Sequence, residues 1–466
     1  MLAKVLSWLP DIKAPLERRL SFKQKLKWTL IILISFFVLS VIPLFGLSVN
    51  ALQRFEQLSI ILGASFGSIM TLGIGPIVTA SIVLQLLNGS GLWKFDLRSP
   101  EGRKKFEGVQ RLLTIFFIIF ESCVYVFMGG LAPASTLAPG QYFVMQLVLI
   151  LQLIVGGFLV LYMDEIVNKW GFGSGVSLFI AANVSAEIFI RAFSPLTEAG
   201  TWAFGSGQSP TGQVWVFLLS LSSGEKTAAL LALSAIISTI AVYFLATYFQ
   251  AIKVEIPLSF GRIRGYGIRW PLHFLYTSNI PVILIAALMA NIQLLGKLLE
   301  SWGYPLLGTF TGNMPATGLV ALLHSPNILV GILTGALSWK IVGQAFIYLF
   351  FMIVGATLFS VFWMQTSGMD PRSQAETIMA SGLQIPGFRR DIRVLEALLK
   401  RYILPLTVMG GIAVGILAGV ADVSGALARG TGILLAVMII YRFYEEIAQQ
   451  HMMDMYPALR KIIAKQ

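Results

Sequence analysis

Few residues in this chain have the type and spacing for covalent chemistry. There are three histidines, His273, His324 and His451, and none lies within a long apolar run. No His-Glu-x-x-His pair offers a metal site with a general base, and no glycine-rich loop ending in Lys-Ser or Lys-Thr offers a phosphate cradle. Gly173-Ser174-Gly175 sets a serine between glycines, but no histidine follows in a later apolar run to take its proton. Small residues packing a helix start is the simpler reading. One cysteine, Cys123, excludes a disulfide framework and a cysteine cluster. These residues predict no enzyme activity, no cofactor and no metal site. One ionisable group stands apart: Glu121, inside "FFIIFESCVYVF". An acid in such a run is costly and a functional candidate by default, with a protonated Glu hydrogen-bonded to a neighbouring helix as the competing reading.

The elements around Glu121 are membrane spans. Of 466 residues, 56% are hydrophobic and only 12% charged, against about 25% charged in soluble domains. Apolar runs of roughly 20 residues match a hydrocarbon core of about 30 Å, and short alternating segments of the barrel type are missing. Ten spans are predicted, over residues 28–47, 74–91, 112–131, 143–163, 174–193, 227–250, 280–299, 343–364, 402–420 and 431–448. With ten spans, 28 of the 34 Lys and Arg fall on one side, which places both termini in the cytoplasm. Residues 1–27 are charged and carry no cleavable signal.

Ten spans suggest five plus five, in two inverted halves. Span 2 opens Gly73-Ile-Gly-Pro-Ile-Val78 and its counterpart, span 7, opens Ser278-Asn-Ile-Pro-Val-Ile283; each later carries a glutamine, Gln85 and Gln293. Matched interruptions are the expected mark of an inverted repeat. Before span 2, Leu58–Met70 is a short apolar segment that cannot span. Gly411, Gly415 and Gly419 form small-x-x-x-small steps that let another helix approach span 9. Asn183-Val-Ser185 matches a glycosylation sequon but lies inside a span. A small-solute transporter of the inverted-repeat type is the alternative reading, and it would need a polar midplane site; the spans are mostly Ile, Val, Leu and Gly.

Five stretches, in order, resemble the SecY-type protein-conducting channel (translocon alpha subunit), archaeal form. They are "SIMTLGIGPIVTASIVLQLL" (68–87), "YMDEIVNKWGFGSGVSLFIAAN" (162–183), "VEIPLSFGRIRG" (254–265), "SNIPVILIAALMANIQL" (278–294) and "RYILPLTVM" (401–409). The resemblance implies an all-α membrane fold of ten transmembrane helices in two inverted halves, with a short re-entrant plug helix before span 2. By position it implies a pore ring at Ile74, Val78, Val176, Ile180, Ile283 and Leu435, where Val176 is one methylene shorter than the usual Ile. It also implies a polar lateral-gate cluster of Thr79, Glu121 and Asn291. The plug is expected over Glu56–Gly67, with Leu58, Ile61, Leu62 and Phe66 as its apolar face and Gly67, Gly73, Gly75 and Pro76 as its hinge. Ribosome docking is expected at Arg262, Arg264, Arg389 and Arg390.

The expected organisation is a cytoplasmic amphipathic basic arm (1–27), an N-terminal half (28–222) with the plug at 56–67, and a C-terminal half (223–448). The C-terminal half carries cytoplasmic loops 251–275 and 365–401, and a tail covers 449–466. The implied function is conduction of unfolded secretory polypeptides across the cell (plasma) membrane and sideways release of hydrophobic segments. The implied partners are a small single-span SecE-type gamma subunit, a beta subunit, the ribosome, signal sequences and nascent polypeptides, and the lipid bilayer.

Overall fold

The computed structural model describes residues 12–13, 15, 20–47, 67–89, 91–93, 95, 99–127, 131–134, 137–197, 202–205, 207–260, 267–277, 280–301, 303–311, 314–381, 383–384 and 391–455. The first five expected spans coincide with α1 (Phe22–Val41), α2 (Gly75–Gly89), α3 (Pro100–Phe127), α4 (Pro139–Trp170) and α5 (Gly175–Phe193). A short α6 (Gln213–Ser223) leads to α7 (Lys226–Ala251), the strands β1 (Lys253–Phe260) and β2 (Gly267–His273), and α8 (Ile280–Ser301). Strands β3 (Phe310–Thr311) and β4 (Met314–Pro315) and helices α9 (Gly318–Leu322) and α10 (Ile328–Leu333) fill the next connection. The chain closes with α11 (Trp339–Thr366), α12 (Pro371–Ala380), β5 (Leu383–Gln384), α13 (Ile392–Val423) and α14 (Gly430–Met455). Seven of these helices are long and apolar enough to cross a membrane; the segments Gly75–Asn88, Gln213–Ser223 and Ile280–Met289 are apolar but shorter.

Local chemistry shifts several span limits. Ser21 and Gln24 form a capping box that starts α1 six residues before the expected 28, and Pro43 forces Ile42 into extended backbone, so the helix ends at Val41 rather than 47. Ser99 accepts the Gly102 N–H at 3.0 Å, with Pro100 and Glu101 in the first turn, so α3 begins well before residue 112. The loop at 251–275 is mostly a hairpin. Lys253 to Ser259 pair antiparallel with His273 to Gly267, and β5 pairs with the end of β1. Its buried Ile256, Leu258 and Leu272 sit on Leu395, Leu399 and Ile403 of α13.

The chain divides into two compact units, Met1–Val184 with Ile439–Gln466, and Ser185–Met438; the divisions fall inside α5 and α14. In the second unit the spaced glycines of α13 do what their spacing suggests. A Cβ at Gly411 would lie 2.9 Å from Thr357 Cα, and one at Gly415 2.7 Å from Ile353 Cα, so α13 and α11 meet backbone to backbone. The 301–340 connection is seated on its helices: Gln293 of α8 donates to the Leu323 carbonyl (3.1 Å), and Gln344 of α11 donates to the Ala321 (2.7 Å) and His324 (3.1 Å) carbonyls. Gln85 instead donates to Ser81 on its own helix, so the matched glutamines do different work.

In the first unit, the backbone before α2 is irregular yet buried from Gly67 to Ile74, Ile69 alone being half-buried. Such backbone survives at membrane depth only if its polar groups find partners. The Leu44 N–H donates to the Gly67 carbonyl (2.8 Å) and the Ile69 N–H to the Ile42 carbonyl (3.0 Å). Thr71, Gly73 and Gly75 N–H groups close turns onto Ser68, Met70 and Leu72, and the Gly67 N–H donates to Thr71 Oγ1 (3.0 Å). Gly67 (φ +87°) and Gly73 (φ +50°) take backbone conformations that favour glycine. Gly156 of α4 makes the room: a Cβ there would stand 1.9 Å from the Ile69 carbonyl oxygen.

Two outcomes follow. Gly156→Val should cost about 3 kcal/mol, since the clash is with backbone, whereas Gly343→Ala, where nothing lies within 4 Å of the added Cβ, should stay within about 1 kcal/mol of wild type. Equal thermal unfolding midpoints for the two in detergent would contradict the close approach. The second concerns His324, whose imidazole is held below its ordinary range by burial and by Arg429. With the folded pKa lowered, the unfolded chain binds more protons, so stability is lost as pH falls below the unfolded value of about 6.5. Midpoints between pH 8 and 5 should fall more steeply for wild type than for His324→Gln; parallel curves would contradict this.

Candidate functional site

The expected ring residues sort by unit. In the first, buried Ile74 shares an apolar cluster with Phe36 and Phe179, and Val78, Val176 and Ile180 pack against it. Two elements set these positions. The bonded turns of Gly67–Ile74 deliver Ile74 to the start of α2, and Pro76 sits in the first turn of α2, where its missing N–H costs nothing. On α5, Phe179 stacks on Phe36 of α1 with centroids 4.5 Å apart, which fixes the rotation of the helix that carries Val176 and Ile180. Val176 and Ile180 are four apart and so share a face.

In the second unit, Ile283 of α8 and Leu435 of α14 are half-buried. Their neighbours Val282, Ile285, Leu434 and Val437 belong to the core of that unit, while Ile283 and Leu435 stand outside it. The four first-unit ring positions are thus brought into one cluster, and the two second-unit positions are left clear of their own core.

Thr79 on α2 and Glu121 on α3 are both half-buried, on helices that pack together. Asn291 belongs to α8 by its backbone, and its side chain lies outside the described residues. Leu58, Ile61, Leu62 and Phe66, and with them most of the expected plug, also lie outside, as do Arg262, Arg264, Arg389 and Arg390. Gly67, Gly73 and Gly75 are present and buried; Gly75 starts α2, and all three are tied into the bonded turns.

Around the arginine loops the described framework is firm. Arg262 and Arg264 fall in sequence between the paired Ser259 and Gly267. An exposed cross-strand ion pair, Arg269–Glu255 at 3.1 Å, marks the hairpin. The Tyr276 hydroxyl donates to the Met369 carbonyl (2.8 Å), joining the 6/7 and 8/9 connections; burial and the Asp370 carboxylate push this phenol well above its ordinary range.

Sequence reasoning missed two half-buried, hydrogen-bonded acids. Asp422 Oδ2 accepts from Tyr348 (2.6 Å) and Oδ1 from the Gly430 N–H (2.7 Å), tying α13 to α11 and α14. Asp164 Oδ1 accepts the Val176 N–H at 2.8 Å. The available signal was an acid shortly before a Gly-x-Gly-Ser-Gly turn, where a helix start needs an acceptor. Asn183, set aside as a sequon, has a buried amide nitrogen without a hydrogen-bond partner among the described residues.

The sequence pattern of the SecY family matches residues 68–444, which takes in both groups of ring positions. The chain belongs to the SecY family. Protein translocase subunit SecY of Methanothermobacter thermautotrophicus is 44% identical over 464 residues, covering 98% of this chain and 97% of that one. The protein of the same description from Methanocaldococcus jannaschii is 39% identical, covering 100% and 99%. A solved structure described as "The structure of a protein conducting channel" is similar at 38% identity and a TM-score of 0.79, covering 98% of this chain and 99% of that one. "Sec61 in the Canine ribosome-channel complex from the endoplasmic reticulum" matches at 38% identity and a TM-score of 0.77, with the same coverage. Membership of the SecY family makes the chain a multi-pass, ten-span membrane protein and a translocation channel subunit, and disfavours the small-solute transporter.

Proposed function

We propose that the chain is the central pore-forming subunit of a Sec translocon, conducting unfolded secretory polypeptides across the cell membrane and releasing hydrophobic segments sideways into lipid. The observation that carries this reading is the buried, internally bonded break at Gly67–Ile74, which seats Ile74 and Val78 beside Val176 and Ile180 in one apolar cluster. In this reading the four residues form the first unit's share of a constriction, and Ile283 and Leu435 supply the rest. A constriction of aliphatic side chains resists wetting and makes no sequence-specific demand on a passing peptide. Glu56–Gly67 is the plug, and Thr79, Glu121 and Asn291 are the polar groups that hold the lateral gate. Interhelical hydrogen bonds of this kind average about 0.6 kcal/mol in one membrane protein, weak enough for a hydrophobic signal sequence to displace.

The remaining assignments rest on charge and resemblance. Both termini are cytoplasmic, as the strong basic asymmetry favours. The gate and ring are shared between an N-terminal half (28–222) and a C-terminal half (223–448). The loops at 251–275 and 365–401 dock the ribosome through Arg262, Arg264, Arg389 and Arg390, because guanidinium groups pair with RNA phosphates. The chain works with a SecE-type gamma subunit and a beta subunit, and performs no covalent chemistry itself.

The test is single-channel current in planar bilayers. Wild type should be nearly silent, deletion of 56–66 should add intermittent openings, and replacing Ile74, Val78 and Ile180 with Ser should add further leak. Silence from every variant, with insertion verified, would overturn the channel reading.

A further inference from the structure

The chain leaves α4 after Trp170, turns through Gly171–Gly173 with Gly173 at φ +59°, and starts α5 at Gly175. The first N–H groups of a helix have no internal partner and form its positive end. The acceptor here comes from a different helix: Asp164 of α4 takes the Val176 N–H on Oδ1 (2.8 Å), while its Oδ2 accepts from Asn168 Nδ2 (3.0 Å). Both carboxylate oxygens are therefore engaged, one by its own helix and one by the next. Close approach is possible only because residue 175 is glycine. A Cβ there would lie 2.6 Å from Asp164 Cα and 2.7 Å from Oδ1, so any side chain must drive α4 and α5 apart.

The residue whose backbone is held is itself one of the constriction residues. Val176 begins the α5 face that continues to Ile180, and Phe179 between them is locked on Phe36. The same turn is also tied to α1, where Thr29 Oγ1 accepts the Phe172 N–H (3.0 Å). A shift of the first turn of α5 thus moves a constriction side chain directly.

We infer that Asp164 is a positioning residue for the pore: through the Val176 N–H it sets the depth and rotation at which α5 presents Val176 and Ile180. The inference deepens the constriction reading and rests on it. Asp164 touches no polypeptide in transit; it acts through the backbone of a residue that does. Gly175 is the second half of the device, since it lets the carboxylate reach the helix end.

The experiment uses the full-length chain with its co-purifying subunits, reconstituted in planar bilayers, with thermal midpoints measured in parallel. Asp164→Ala removes the acceptor, Gly175→Ala separates the helices without removing a polar group, and Asp164→Asn keeps an oxygen for the Val176 N–H. Arg111→Gln breaks the nearby ion pair of Arg111 with Glu165 (2.9 Å), which also joins α3 to α4, and serves as the control for destabilisation alone. Val176→Ser and Ile180→Ser serve as the controls for the constriction. The expected result is a several-fold rise in resting ion current for Asp164→Ala and Gly175→Ala, current near wild type for Asp164→Asn, and no rise for Arg111→Gln whatever its midpoint. Should Asp164→Ala fail to fold, Gly175→Ala decides alone. Leak from the serine variants but none from Asp164→Ala or Gly175→Ala beyond Arg111→Gln would overturn the positioning role and leave the constriction standing. Silence from the serine variants as well would remove the constriction reading and this inference with it.

Discussion

A backbone that breaks its helix in an apolar solvent leaves N–H and C=O groups with nowhere to turn but the protein itself. The first unit depends on how this chain meets that constraint at Gly67–Ile74. Its carbonyl and amide groups are taken up by Ile42 and Leu44, by Thr71, and by successive tight turns. Those partners exist because Pro43 ends α1 early and releases Ile42 and Leu44 from helix. Gly156 exists at that position because any larger residue would collide with the Ile69 carbonyl. The neighbouring Gly157 admits Ile118 of α3 in the same way, a Cβ there lying 2.7 Å from Ile118 Cγ2. One break thus dictates the end of α1, one glycine on α4 and the start of α2.

What the break provides is a short α2 entered through buried Ile74, with Ile74 and Val78 seated in one apolar cluster with Val176 and Ile180 of α5. A channel for polypeptides needs a barrier that excludes ions and yet has no preference among side chains. Apolar groups supply that through poor wetting rather than through bonds. Trimming Ile to Val at position 176 removes one methylene, about 0.8 kcal/mol of burial, without changing the character of the ring. The polar groups of the proposed seam, Thr79 and Glu121, are few, which suits a gate that must open.

Span number and order were legible because long apolar runs and basic asymmetry are both one-dimensional signals, whereas the short helices α6, α9, α10 and α12 were not. The missed starts of α1 and α3 were legible too, in Ser21/Gln24 and Ser99-Pro100, but hydropathy outweighed capping chemistry. The β1 hairpin is visible in the alternation of Val254, Ile256 and Leu258 with polar or exposed neighbours. The glycines of the 67–75 segment were legible as special but not as anchored, because their partners Ile42, Leu44 and Gly156 lie far away in sequence. Asp164 was hidden for the same reason: an acid near a helix end reads as surface charge until the next helix is folded back onto it.

The central claim is that Gly67–Gly75 is a fixed, hydrogen-bonded anchor, so that any gating movement begins before Gly67. Amide hydrogen exchange of the reconstituted channel tests this most directly, at Ile69, Thr71, Gly73 and Gly75, with and without an engaged signal sequence. The account predicts protection at these four amides comparable to the middle of α4 in both states. Exchange at them as fast as at unprotected surface amides, or a loss of protection on signal-sequence engagement, would contradict it.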